Sequence, residues 1–171
     1  MKEIVKDVTV AFVIVFIIMQ FYEPTRVFGI SMQPNFHEKD YLVLSKEAYA
    51  KASPKRGDVV VFQSSLVSFK GDKELLIKRV IGLPGDKVVI KDGDVYVNGV
   101  QQSDYYTKDR YTIGDISVTV PEGEYFCMGD NRQHSTDSRF SSVGCVSSSL
   151  IKGKVIFRFY PFNKAGKIKS I

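Results

Sequence analysis

An unbroken apolar run near the start of the chain constrains what can follow it. From Val8 to Tyr22 the only polar side chains are Thr9 and Gln20. The run is apolar on all sides, whereas the surface helix of a water-soluble domain carries a single apolar stripe. Three structures could accommodate it: a buried soluble helix, a cleaved signal peptide, or an uncleaved membrane anchor. No small-residue cleavage pattern follows, because Phe21-Tyr22-Glu23-Pro24-Thr25-Arg26 is bulky and polar. An uncleaved anchor is therefore the expectation. As a helix the run would be roughly 22 Å long, short of a hydrocarbon core of about 30 Å. Local thinning of the bilayer and snorkelling of Lys2 and Lys6 would make up the difference. Two lysines before the run and Arg26 after it give only a mild bias toward a cytoplasmic N-terminus.

Beyond Arg26 the pattern changes to short β-type runs separated by turn residues. Tyr41–Leu44, Val59–Gln63, Leu75–Ile81, Val88–Lys91, Val95–Val97, Val118–Val120, Tyr125–Met128 and Val155–Tyr160 read as strands. The clearest pair is Val88 to Asn98, where Asp92-Gly93 supplies the positive φ angles of a tight hairpin turn. Ser147–Ile151 reads as one short helical turn, and the polar, Tyr-rich stretch 101–114 as a loop. No long helical periodicity and no internal repeat follow the anchor. The expected fold is mainly β: an antiparallel β-sheet domain with an N-terminal transmembrane helix. Residues 1–26 would be anchor and stalk, and 27–171 a β-rich domain.

The net charge of +5 suits an anionic membrane surface. It would also suit nucleic acid, but the basic residues are scattered and form no dense run. Lys164, Lys167 and Lys169 read as a solvated tail. Cys127 and Cys145 are too few for a disulfide framework or a structural metal site. They read as two buried thiols, with a bridge between them left open.

Two segments carry candidate chemistry. In Gly29-Ile30-Ser31-Met32-Gln33-Pro34 a serine sits in a turn that Gly29 loosens and Pro34 stiffens. In Leu75-Leu76-Ile77-Lys78-Arg79-Val80-Ile81 a lysine is held inside an apolar strand. A buried lysine loses its proton more readily, so it can serve as a base. As a strand residue Lys78 shares a face with Leu76 and Val80, and Arg79 shares the other with Ile77 and Ile81. The pattern alone does not say which of these faces is buried. A polar loop, Gly129 to Arg139, lies between two apolar runs. It is either a solvated loop with side-chain turns or a shell that orients a site through an Asp137–Arg139 ion pair. His134, Ser135 and Asp137 are too crowded in that loop for a catalytic triad, whose members come from separate elements. With His37 and His134 the only histidines, no metal site is expected.

Four segments in order carry a resemblance: Gly29–Pro34, Gly57-Asp58-Val59-Val60, Lys78–Asp86, and Gly129-Asp130-Asn131-Arg132 with Ser135-Thr136-Asp137-Ser138-Arg139. Together with the apolar N-terminal run they resemble the successive boxes of bacterial type I signal peptidases, in the compact Gram-positive form. The resemblance implies a Ser–Lys dyad protease, a serine endopeptidase that removes signal peptides from exported preproteins after small residues. Ser31 would be the nucleophile and Lys78 the general base. Ser135 would orient the lysine, and Asp137 and Arg139 would support the site, as would Met32 and Gly29. It also implies a single-pass protein of the cell membrane with its catalytic domain on the extracytoplasmic side. Preprotein signal peptides and membrane lipid would be its partners. No cofactor, metal, nucleic acid or obligate protein partner is expected. Two positions depart from the family pattern. Asn35 stands where Thr is usual, and Gly29 stands where some members carry a serine that helps bind the oxyanion. Two rivals remain. A soluble Ser–Lys autoprotease of the repressor type would need a helix-turn-helix domain where the apolar run stands. A catalytically silent, membrane-anchored binding module would not need both Ser31 and Lys78.

Overall fold

The computed structural model describes residues 1–68, 71–103, 106–107 and 111–170. Part of the loop expected over 101–114 lies outside the described residues. The apolar run belongs to a longer helix, α1 (Lys2–Phe21), of 20 residues. At about 1.5 Å per residue that is roughly 30 Å, the thickness the shorter run lacked. Every residue of α1 is exposed, and its mean hydropathy is 2.2. Length and composition thus suffice to cross a membrane. The polar interruptions satisfy themselves within the helix: Thr9 Oγ1 donates to the Val5 carbonyl at 2.8 Å and Gln20 Nε2 to that of Phe16 at 3.4 Å. Such back-bonding pairs one donor of each polar side chain within the helix itself.

Among the described residues twelve strands follow, all paired antiparallel: β1 (Tyr22–Arg26), β2 (Tyr41–Ser45), β3 (Val59–Val67), β4 (Lys73–Gly82), β5 (Lys87–Lys91), β6 (Asp94–Val97), β7 (Val100–Gln101), β8 (Ile116–Thr119), β9 (Glu124–Met128), β10 (Val146–Ser147), β11 (Ile151–Tyr160) and β12 (Gly166–Lys167). The main sheet runs β1-β2-β11-β3-β4-β9-β10, with β12 paired to β11, and a smaller sheet runs β7-β6-β5-β8. The β5–β6 hairpin turns on Asp92 (φ 54°) and Gly93 (φ 88°), as the Asp-Gly signal requires. One 3-10 turn covers Ser148–Leu150 and another Phe162–Lys164.

The stretch expected as stalk is therefore a strand. Tyr22–Arg26 pairs with β2 over its whole length. Lys46 closes the joint, because its Nζ donates to the Met19 carbonyl at 2.7 Å and its backbone N–H to that of Phe21 at 2.9 Å. The last turn of α1 has no basic residue of its own, so Lys46 supplies from β2's end the cation a helix C-terminus favours. The C-terminal lysines are likewise not a loose tail. Lys167 lies in β12, Ile168 packs on the core, and Ser170 Oγ donates to the buried Asp58 at 2.6 Å.

Three apolar clusters hold the sheets. Val27, Met32, Phe36, Leu42, Leu44 and Val155 fill one side of the main sheet. Val60, Phe62, Val80, Tyr125, Cys127 and Val146 fill a second cluster. Ile81, Val88, Ile90, Val97, Val120 and Phe126 bind the small sheet to the main one. Both faces of β4 are thus covered, which is why Lys78 and Arg79 are each 2 % exposed although they point opposite ways.

Candidate active site

The turn carrying Ser31 is clamped from below by the 129–139 loop. The Asn131 N–H donates to the Ser31 carbonyl at 2.9 Å, and Asn131 Nδ2 to the Ile30 carbonyl at 3.1 Å. Met32 is 1 % exposed and pins the turn to the core beside Val27 and Phe36. Gly29 has φ 75° and open space where a side chain would stand. Gly129 is the opposite case. A Cβ there would lie 2.5 Å from both the Ser31 carbonyl oxygen and Ser135 Cβ, and would strike Ser135 Oγ. Only glycine lets the loop approach the turn so closely.

From β4, Lys78 reaches this turn. Its Nζ donates to Ser31 Oγ at 2.8 Å and to its neighbour's carbonyl, that of Ile77, at 3.1 Å. Burial away from water brings the amine down from 10.5 to about 8. Asp137 and Asp130 oppose that fall, and Arg139 adds to it. At neutral pH a working fraction of the amine is then uncharged.

Asp137 is fully buried and bidentate with Arg139, at 2.8 Å from Nε and 2.9 Å from Nη2, and it accepts the Gly129 N–H at 2.9 Å. Arg139 in turn donates to the carbonyls of Arg132 and Ser135 at 2.7 and 3.2 Å. The expected ion pair therefore exists, and it holds the backbone on either side of Ser135. One expected contact is missing. Ser135 Oγ is buried without a hydrogen-bond partner, while Lys78 Nζ donates to Ser31 and Ile77. A buried hydroxyl left unpaired costs about 1–3 kcal/mol. It is therefore a ready partner for any donor or acceptor that enters. His134 is exposed, so the loop holds no triad. Cys127 is buried, Cys145 half-buried, and neither is bridged.

The sequence did not single out the support beneath the lysine. Arg79 Nε and Nη2 donate to Asp130 at 2.8 and 2.7 Å, a pair whose side chains are 3 % and 1 % exposed. Asn35, the departure from the usual Thr, donates to the other face of that assembly: to Asp130 Oδ2 at 2.8 Å and the Tyr106 carbonyl at 2.6 Å. Tyr106 lays its ring 4.9 Å from the Arg79 guanidinium carbon. The available signal was the position of Asp130 and Asn131 inside a polar loop flanked by apolar strands.

Between the free edge of β1 and β4 lies a groove of about 270 Å³, lined by Pro24–Phe28, Ser31, Val61 and Leu75–Lys78. β9 pairs with β4 only from Arg79 onward, so among the described residues the β9 side of Lys73–Lys78 has no strand partner. An open strand edge beside a serine hydroxyl and a low-pKa amine suits the capture and cleavage of an extended chain. No group of His, Cys, Asp and Glu among the described residues could hold a metal ion. Fold and site together have the parts a serine endopeptidase would need.

Comparison with known proteins gives the family. The model of the family described as "Signal peptidase, peptidase S26" matches residues 1–160. The signal peptidase I of Bacillus licheniformis is 38% identical over 178 residues, covering 96% of this chain and 91% of that protein. The signal peptidase IB of Staphylococcus aureus (strain COL) is 36% identical over 185 residues, covering 95% and 93%. A crystal structure of a signal peptidase I from Enterococcus faecalis V583 is 34% identical, with a TM-score of 0.49, over 60% of this chain and 96% of that one. The chain belongs to the signal peptidase family, peptidase S26.

Proposed function

We propose that this chain is a membrane-anchored signal peptidase that cleaves preproteins with Ser31 as nucleophile and Lys78 as general base. The observation that supports it most is the 2.8 Å contact between Lys78 Nζ and Ser31 Oγ, made by an amine lowered to about 8. While the lysine is charged it donates to the hydroxyl. Once neutral it accepts the hydroxyl proton, and Ser31 Oγ attacks the scissile carbonyl carbon. The negative charge on the carbonyl oxygen falls to the Ser31 backbone N–H and a second donor. The Lys78 ammonium then gives its proton to the leaving amine, and the neutral amine next takes one from the water that opens the acyl-enzyme. Ser135 would turn its unpaired hydroxyl toward the lysine as the charge moves. Asp137 and Arg139 fix Ser135, while Met32 and Gly29 fix and free the Ser31 turn. No metal or cofactor enters these steps.

The preprotein would lie extended in the groove as an added strand, with small residues at the first and third positions before the cut. Residues 1–26 would hold the enzyme to the membrane, with Tyr22–Arg26 fastening the anchor to a catalytic body of 27–171 on the extracytoplasmic side. Lipid at that surface and the signal peptide itself would be its partners.

The test is cleavage of a purified preprotein by the full chain in detergent. Ser31→Ala and Lys78→Arg should both lose activity while still folding and unfolding cooperatively, the second because arginine keeps its proton. Wild-type turnover in Ser31→Ala would sink the nucleophile assignment. Appreciable turnover in Lys78→Arg would sink the base.

A further inference from the structure

The groove carries one fixed charge that the cleavage chemistry does not use. Of its lining residues only Lys78 and Arg26 are ionisable bases, and none is an acid. Arg26 is exposed at the end of β1. Its guanidinium carbon lies 5.2 Å from the Phe28 ring centroid and 5.8 Å from that of Tyr41. Among the described residues it makes no ion pair and its guanidinium no hydrogen bond. Two aromatic faces thus hold the cation in place, and its five N–H donors stay free.

Strand alternation says which substrate residues it would meet. Val27 is buried and Thr25 half-buried, so they face the core, and Pro24, Arg26 and Phe28 face the other way. A peptide added beside β1 must alternate in the same manner. If the first and third residues before the cut enter the core-side pockets, the second and fourth stand on the face of Arg26. Cross-strand neighbours on one face have Cβ atoms about 4.5–5.5 Å apart, within reach of a long side chain. Glu23, the nearest acid in β1, falls on the opposite face.

We infer that Arg26 is a specificity-determining residue, reading the charge of the substrate at the second or fourth position before the cut. It favours acidic residues there and rejects basic ones. This rests on the proposed function, since it takes the groove as the substrate site. One unit charge met at about 6 Å, at the dielectric of a wet surface, is worth roughly three- to tenfold in rate. Exchanging Asp for Lys reverses the sign and compounds the effect, to about tenfold or more.

The experiment uses full-length protein in detergent and one preprotein carrying Asp, Asn or Lys at each of the two positions in turn. The readout is the ratio of kcat/KM for Asp over Lys. Wild type should show a ratio of about ten at one position, shrinking as salt is raised. Arg26→Lys should keep the sign, Arg26→Gln should bring the ratio near one, and Arg26→Glu should invert it. An unchanged ratio in the Gln and Glu variants overturns the inference. So does a ratio near one in wild type at both positions, or an effect of Arg26 seen only when anionic vesicles are present, which would make it a lipid contact. Failure of the underlying reading looks different: Ser31→Ala would then cleave the same substrates as fast as wild type.

Discussion

Replacing Lys78 with methionine and then raising the pH separates the cost of this site from its use. In the wild type an ammonium must be held where only 2 % of the residue is exposed. Burial lowers it from 10.5 to about 8. At about 1.4 kcal/mol per unit, the charged form costs the fold about 3 kcal/mol. Below pH 8 the folded and unfolded chains are both protonated, so that cost is fully present. Between pH 8 and 10.5 the unfolded chain binds more protons than the folded one, so stability rises with pH. Above 10.5 the cost is gone. Methionine keeps the length of the stem without the amine. At pH 7 the variant gains about 3 kcal/mol and gives back about 1 kcal/mol for each of the two hydrogen bonds it loses. The clean quantity is the change in the difference. From pH 7 to 10 the wild type should gain about 2–3 kcal/mol on Lys78→Met. Denaturant midpoints of both proteins in the same detergent measure it, because other titrating groups cancel. In parallel, wild-type kcat/KM should climb about tenfold per pH unit below 8 and level off above it. A stability difference that does not move with pH would refute the buried-amine account. So would flat kcat/KM from pH 6 to 9.

Two further outcomes are expected. Gly129→Ala should lower kcat by orders of magnitude and stability by about 1–3 kcal/mol, since the added Cβ meets the Ser31 carbonyl at 2.5 Å. A variant with wild-type kcat would show that the turn can move without harm. Removal of residues 1–21 should give a protein that stays in solution without detergent and still cleaves short peptides. It should process vesicle-bound preprotein poorly, because enzyme and substrate no longer share a surface. Sedimentation with vesicles and the two cleavage rates check this, and full-length protein that stays aqueous without detergent would contradict the anchor.

The strands that were legible in the sequence are those whose own side chains announce them. Val88–Lys91 and Val95–Val97 alternate across an Asp-Gly turn, and the structure pairs them. β1 was not legible, because Tyr-Glu-Pro-Thr-Arg has neither alternation nor β-branched density. It is a strand only because β2 offers it an edge. The same holds for β12, whose Gly-Lys pair says nothing until β11 is beside it. Lys78 posed a different problem. The pattern on β4 could not choose between its two faces, because a strand covered on both sides has no solvent face to read. The decision lies in residues far from β4 along the chain: Tyr125, Cys127 and Val146 cluster with Val80, and Val27 and Met32 with Ile77. Contacts between loops were the least legible. Asp137–Arg139 could be paired by eye because they are two residues apart, but Asp130 reaches back 51 residues to Arg79 and 95 to Asn35. The unpaired Ser135 hydroxyl was beyond any sequence argument, since a missing bond depends on the positions of all the surrounding atoms. What the sequence could carry is composition under constraint: a serine where the turn needs freedom, a lysine where the strand needs apolar residues, a glycine where two backbones nearly touch. Each is a residue type that costs stability or order at its place, and in this fold all three converge on one hydroxyl.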